Sequence, residues 1–203
     1  MPQPERWSIY QSYPSFVLGF HGCDRSVGEA VLAGETVHLK ESRNDYDWLG
    51  HGIYFWESSP QRALEFAQER AAGGRNSKGK IDNPFVLGAI IDLGLCLNLM
   101  DITALGQLKD AYLTLKTTIE AAGAQLPANG KGKLRRNLDC AVIETLHELR
   151  KELQEPGYDS VRGTFFEGED IYPGAGFKSK DHTQICVRNL ACIKGYFRPI
   201  EVR

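Results

Sequence analysis

The stretch GHGIYFWESS, residues 50–59, sets a glycine-flanked tyrosine, phenylalanine and tryptophan directly before a helix start. Two readings fit it: a core strand entering a helix, or one wall of a pocket for a flat, uncharged ring. Ser58 or Ser59 can cap the helix, Pro60 is tolerated in its first turn, and Gln61 stands three residues after Ser58 for a capping box. Ala63, Phe66 and Ala67 then face inward, and the helix ends near Gly73.

Upstream, YPSFVLGFHG (13–22) reads as a strand running into a glycine. Asp24 caps a helix with Val27, Ala30 and Val31 on one face and Gly34 as its stop. ETVHLKES (35–42) alternates as a short strand would, and RNDYD (43–47) is a polar turn. Downstream, GGRNSKGKIDN (73–83) is a connector and FVLGAIIDLG (85–94) a buried strand. Asp101 caps a helix whose Leu105, Leu108, Tyr112, Leu115 and Ile119 recur at a helical period. AAGAQLPANGKGKLRRN (121–137) breaks structure repeatedly, and Asp139 caps a helix carrying Val142, Leu146, Leu149 and Leu153. YDSVRG, the segment His182 to Gln184, ICVRN and CIKGYF supply the last strands. Residues 1–12 read as a surface arm, with loops at 72–83 and 122–138. The expectation is one α+β domain spanning 1–203, with no internal repeat.

Composition is that of an ordinary globular chain: 203 residues, 42% hydrophobic and 25% charged. A net charge of -2 and a pI near 6.2 give no overall positive field for nucleic acid or acidic membrane. The basic run KGKLRR (Lys131, Lys133, Arg135, Arg136) either touches phosphate or forms a solvated turn. FVLGF (16–20) is too short for a signal peptide and lacks a basic leader. The longest apolar segment, 85–100, is interrupted by Asp92 and Asn98 and reads as buried strands, not as a membrane span. Cys23, Cys96, Cys140, Cys186 and Cys192 are odd in number and scattered without a CxxC, which suits reduced core thiols in a cytoplasmic protein.

The residues with chemical potential are His21–Gly22, Gly52–Ile53–Tyr54–Phe55 and the segment from Arg162 to Val187. A neutral imidazole at the end of a predicted strand donates one hydrogen bond and accepts another, which suits a pair of ribose hydroxyls. Gly22 leaves its backbone N–H and C=O open to a ligand, the two groups a carboxamide needs. Tyr54 or an aromatic near it is placed to stack on the amide-bearing ring. Each feature also has a structural reading, as a core histidine or a core aromatic triplet. His21, Cys23 and His51 could be drawn as metal ligands, but no fourth ligand stands nearby.

FHG followed by GHGIYFWESSPQRALEFA resembles the two amino-terminal signatures of the diphtheria-toxin-like and poly(ADP-ribose) polymerase-like ADP-ribosyltransferases. The resemblance covers about a quarter of the chain. It implies an α+β ADP-ribosyltransferase-like domain, with mixed and antiparallel sheets forming a split core flanked by helices, and NAD as cofactor. It assigns His21 to a ribose hydroxyl, Gly22 to the nicotinamide amide, Tyr54 to stacking, and Ala63 and Ala67 to the small residues of the helix behind. The family's third element, a glutamate on a later strand, is replaced here by Gln184 in TQICVRN. An amide hydrogen-bonds a hydroxyl but cannot ionise, which removes a negative charge from beside a developing positive one.

Three outcomes are open. Gln184 suffices for transfer of one ADP-ribose; Glu167 or Glu169, in the loop RGTFFEGEDIYPGAG, swings in as the carboxylate; or the site binds NAD without turning it over. That loop resembles the substrate-recognition loop preceding the third motif in such enzymes. Arg25 and Arg162 are candidates for the pyrophosphate. The expected activity is mono-ADP-ribosyl transfer to a macromolecular acceptor, protein or nucleic acid. The alternatives are NAD hydrolysis and an impaired NAD- or ADP-ribose-binding domain. Small standalone relatives are typically toxins or anti-phage effectors.

Overall fold

The computed structural model describes residues 16–73, 81–131 and 135–200. The expected arm at 1–12, residues 74–80 of the connector and Lys133 of the basic run lie outside these. The elements run β1 (Val17–Asp24), α1 (Arg25–Leu32), β2 (Ile53–Glu57), α2 (Pro60–Ala71), β3 (Pro84–Ile91), β4 (Cys96–Asn98), α3 (Ile102–Ala121), α4 (Asn137–Glu152), β5 (Ser160–Phe165), β6 (His182–Val187) and β7 (Ile193–Phe197). They form one α+β domain around a seven-stranded sheet of order β4-β5-β6-β2-β1-β3-β7. Only β4 and β5 pair in parallel; the other neighbours are antiparallel.

Because side chains alternate across a strand, each strand feeds two cores. Phe55, Leu87, Ile91, Ile185 and Val187 pack on one face with Val31 of α1. On the other face α3 and α4 cover Leu97, Val161 and Cys186, while α2 brings Ala63 onto Phe20 and Trp56. All five cysteines are buried free thiols. No helix among the described residues is long and apolar enough to cross a membrane.

Local capping fixes the helix starts. Asp24 accepts the Ser26 N–H and so begins α1, and its other oxygen accepts the N–H groups of Asp82 and Asn83. Asp101 accepts from Thr103 and Ala104 at the head of α3. α2 has Pro60 in its first turn but no side-chain cap from Ser59, and Gln61 bonds Glu65 instead of closing a capping box.

Three sequence expectations change. Residues 35–42 form no strand: β1 already has neighbours on both edges, and only Ser42 bridges Gly52. Leu39 is buried there, but Val37 is left 77% exposed, so the alternation does not track a sheet. α3 packs Leu108, Tyr112 and Leu115 on the core as expected, but Ala104 and Ala111 are its most buried residues and Leu105 is left exposed. α4 starts at Asn137, two residues before Asp139, because Asn129 caps it from outside. The Asn129 Oδ1 accepts from the N–H groups of Leu138 and Asp139. Asn129→Ala is therefore expected to cost about 1 kcal/mol, read as a lower urea midpoint with an unchanged slope.

Candidate functional site

The site begins where a ladder stops. β1 pairs with β3 along its whole length, from Val17↔Ile91 to Asp24↔Pro84. With β2 it pairs only at Gly19↔Glu57 and Phe20↔Trp56. His21 therefore lies in the middle of β1, not at its end as the sequence suggests; the β1–β2 ladder is what ends there.

The direction of the backbone groups follows from the flanking bonds. Ser58 N–H donates to Leu18 C=O on the β2 side, and Arg25 N–H donates to Asn83 C=O on the β3 side. Backbone groups alternate sides along a strand, so Leu18, Phe20 and Gly22 aim their N–H and C=O at β2. In a continued ladder Gly22 would meet Tyr54. Instead the Tyr54 carbonyl accepts a hydrogen bond from His21 Nδ1 at 2.7 Å. The β1–β2 ladder thus stops one rung short of Gly22, which is itself buried under α2.

Gly22 is required for a second reason. A Cβ there would lie 2.1 Å from the Ala63 carbonyl oxygen, because α2 crosses directly on this strand. Fully buried Ala63 and Ala67 permit that approach.

Tyr54 is fixed at its hydroxyl, which donates to the Gly50 carbonyl at 2.6 Å and accepts the Leu49 N–H at 2.8 Å. Burial holds its phenol well above the ordinary tyrosine range, so it stays neutral. The partly buried ring packs against the core under α3 and α4. Cross-strand pairing puts Tyr54 opposite Cys186 and Trp56 opposite Gln184. Tyr54, Trp56, Gly22 and Gln184 consequently share one face of the sheet. The His21 ring lies on the other, edge-on to Phe55 with ring centroids 6.0 Å apart.

No protein-family model matches this chain. No curated protein is significantly similar to it either.

The remaining predicted residues separate. Glu167 is drawn inward, with Oε2 3.1 Å from Arg62 Nη2 and 3.9 Å from His182 Nδ1. Glu169 is exposed on the outer part of the same loop. The loop base is clamped by bonds from Lys180 N–H to Glu167 C=O and from Ser179 N–H to Glu169 C=O. Glu167 N–H also donates to Asp181. Any inward motion of Glu167 is therefore a side-chain motion. Arg162 is held by Glu57 at 2.5 and 3.1 Å, on the face opposite Tyr54 and Gln184. Arg25 is exposed, its guanidinium 5.0 Å above the Phe85 ring and 3.7 Å from Glu29. Neither arginine is turned toward Gly22.

His51 pairs with Glu144 at 3.5 Å. Among the described residues no cluster of three His, Cys, Asp or Glu is arranged to hold a metal ion. Cavities of about 350 Å³ between α3, α4 and Trp48, and about 360 Å³ beside α1 and His38, do not include Gly22, Tyr54 or Gln184.

Sequence reading missed Arg62, Trp56 and His182, which meet behind Gln184. Their meeting depends on α2 folding back over the β2–β6 register, and no spacing along the chain signals it.

Burial also sets the charge state of the histidines. It lowers His21, against a raising effect of the Tyr54 carbonyl; it lowers His182, and it lowers His147 to about 4. The folded state then binds fewer protons than the unfolded chain between the ordinary histidine value of 6.5 and about 4. Stability is expected to be full above pH 6.5 and to fall as pH drops through that window. Urea titrations at pH 7.5, 6 and 5 would show this, with a shallower fall in His147→Gln.

Proposed function

We propose that the chain is an NAD-dependent mono-ADP-ribosyltransferase, which moves one ADP-ribose to a macromolecular acceptor and releases nicotinamide. The observation that supports this reading is the interrupted rung: the β1–β2 ladder stops at Phe20↔Trp56 and His21 donates to the Tyr54 carbonyl beyond it, which we read as freeing the Gly22 N–H and C=O for a ligand. An adjacent donor and acceptor on one residue match the oxygen and NH₂ of a carboxamide. Tyr54, locked at its hydroxyl, holds the neighbouring strand beside that edge.

In this mechanism His21, carrying its proton on Nδ1, presents Nε2 as an acceptor for a ribose hydroxyl. Gln184, on the other face of the sheet from the His21 ring, would reach a further hydroxyl across the open end of the β1–β2 ladder. The bond from the anomeric carbon to nicotinamide breaks with its electron pair going to the leaving ring. Positive charge would build on the sugar, and the acceptor would attack from the opposite face, giving up its proton to solvent or to the exposed Glu169 carboxylate. Positioning supplies much of the rate, since Gln184 cannot offer the charge a carboxylate would. It also cannot take a proton from a ribose hydroxyl, which fits transfer of a single unit. The clamped loop holds Ile171, Tyr172 and Phe177 more than half exposed, a surface suited to a macromolecule.

A second reading has its own support: Glu167 is engaged by Arg62 and Gln184 is uncharged, which suits a domain that binds NAD or ADP-ribose without turnover. Nicotinamide release separates the two. Release that needs cell lysate and falls strongly in Gln184→Ala supports the transferase. Release without any acceptor indicates NAD hydrolysis, and NAD binding with no release indicates the binding domain.

A further inference from the structure

Behind Gln184 three side chains more than nine-tenths buried carry nitrogen atoms with no partner. Trp56 is 5% exposed, Arg62 7% and His182 7%. The unpartnered atoms are Trp56 Nε1, Arg62 Nε and Nη1, and His182 Nε2. The three groups are neighbours: the Arg62 guanidinium carbon is 5.7 Å from the Trp56 ring centre, and the Trp56 and His182 rings are 6.3 Å apart. Arg62 uses one donor, Nη2, on a single Glu167 oxygen at 3.1 Å. A buried donor without a partner is destabilising, and a buried guanidinium with one bond to one carboxylate oxygen is far from satisfied.

We propose that Arg62, Trp56 and His182 form a buried oxyanion subsite for a phosphate group, in which the Glu167 carboxylate sits as an internal stand-in that the ligand displaces. The donors define the ligand. Arg62 offers N–H groups to two oxygens and Trp56 offers its indole N–H to another. His182 Nδ1 lies 2.6 Å from the Lys180 carbonyl and so carries the proton, which makes Nε2 an acceptor. A site with several donors and one acceptor selects an oxyanion that retains an O–H. Monohydrogen phosphate or a phosphomonoester monoanion meets that description; a carboxylate does not. The loop backbone at Glu167 is pinned by Lys180 and Asp181, so displacement is a side-chain swing that leaves the loop in place. Arg62 lies in the first turn of α2, whose Ser59 provides no side-chain cap. This inference stands apart from the nicotinamide chemistry, because it requires anion binding with no NAD present.

The test is a titration of ¹⁵N-tryptophan-labelled protein with inorganic phosphate, acetate and chloride at constant ionic strength. The reporter is the Trp56 indole resonance, assigned with Trp56→Phe. Phosphate is expected to move it saturably, acetate more weakly and chloride not at all. Glu167→Gln removes the competing charge while keeping the shape, and is expected to bind phosphate about tenfold more tightly. Arg62→Met is expected to abolish the response. The proposal is overturned if phosphate gives no saturable shift in Glu167→Gln, if chloride reproduces the shift, or if Glu167→Gln binds no better than the parent. A stronger response to acetate than to phosphate also overturns the assignment of ligand class.

Discussion

Replacing His21 by alanine is expected to reduce NAD binding at least a hundredfold, and nicotinamide release with it, while leaving the thermal midpoint nearly unchanged. The reason lies in the register. Phe20↔Trp56 is the last rung of the β1–β2 ladder, and the Tyr54 carbonyl one rung beyond is taken by His21 Nδ1. Without the imidazole that carbonyl has an in-register donor at hand, the Gly22 N–H. The ladder closes, the backbone stays satisfied, and the two groups proposed to hold the carboxamide are consumed. His21→Asn keeps an N–H near the position of Nδ1 and is expected to retain part of the binding. A histidine with a merely structural role predicts the reverse, a lowered midpoint with no preference for asparagine. Calorimetry with NAD and a melting curve on the same samples distinguish the two.

Gly22→Ala is expected to act on stability and binding together. The added methyl would sit 2.1 Å from the Ala63 carbonyl oxygen, an obstacle made of backbone that cannot rotate away. Either β1 or α2 must shift. Overpacking of this kind costs about 3 kcal/mol, which for a chain of this size lowers the midpoint by roughly 10 °C. Any shift of β1 also moves the Gly22 amide edge, so NAD binding is lost even at temperatures where the variant is folded. A variant with native stability would show that α2 gives way easily and that the close approach is not a constraint.

How much of this was legible in the sequence divides by the range of the interaction. β1, β3 and the caps at Asp24 and Asp101 depend on neighbours within a few residues, and they were readable. His21, Gly22 and Tyr54 lie near one another because the two short strands that carry them are neighbours in the sheet. The strand expected at 35–42 failed because alternation cannot report that both edges of β1 are already occupied. The start of α4 was misplaced because its cap, Asn129, comes from a separate loop. Glu167 and Glu169 were indistinguishable along the chain; a packed partner, Arg62, separates them. Likewise Arg162 looked available until its register placed it on Glu57. The Arg62, Trp56 and His182 cluster is the extreme case, since it joins α2, β2 and β6 and leaves no trace in spacing.

The central claim is that the Gly22 N–H is left open by the broken ladder and is taken up by a carboxamide. Amide hydrogen exchange at Gly22, measured by NMR in the free protein and again with saturating nicotinamide, tests it directly. Fast exchange is expected at Gly22 in the free protein, slow exchange at His21 and Cys23, whose N–H groups face β3, and protection of Gly22 on adding the amide. A Gly22 N–H already protected in the free protein, or one indifferent to nicotinamide, would contradict it.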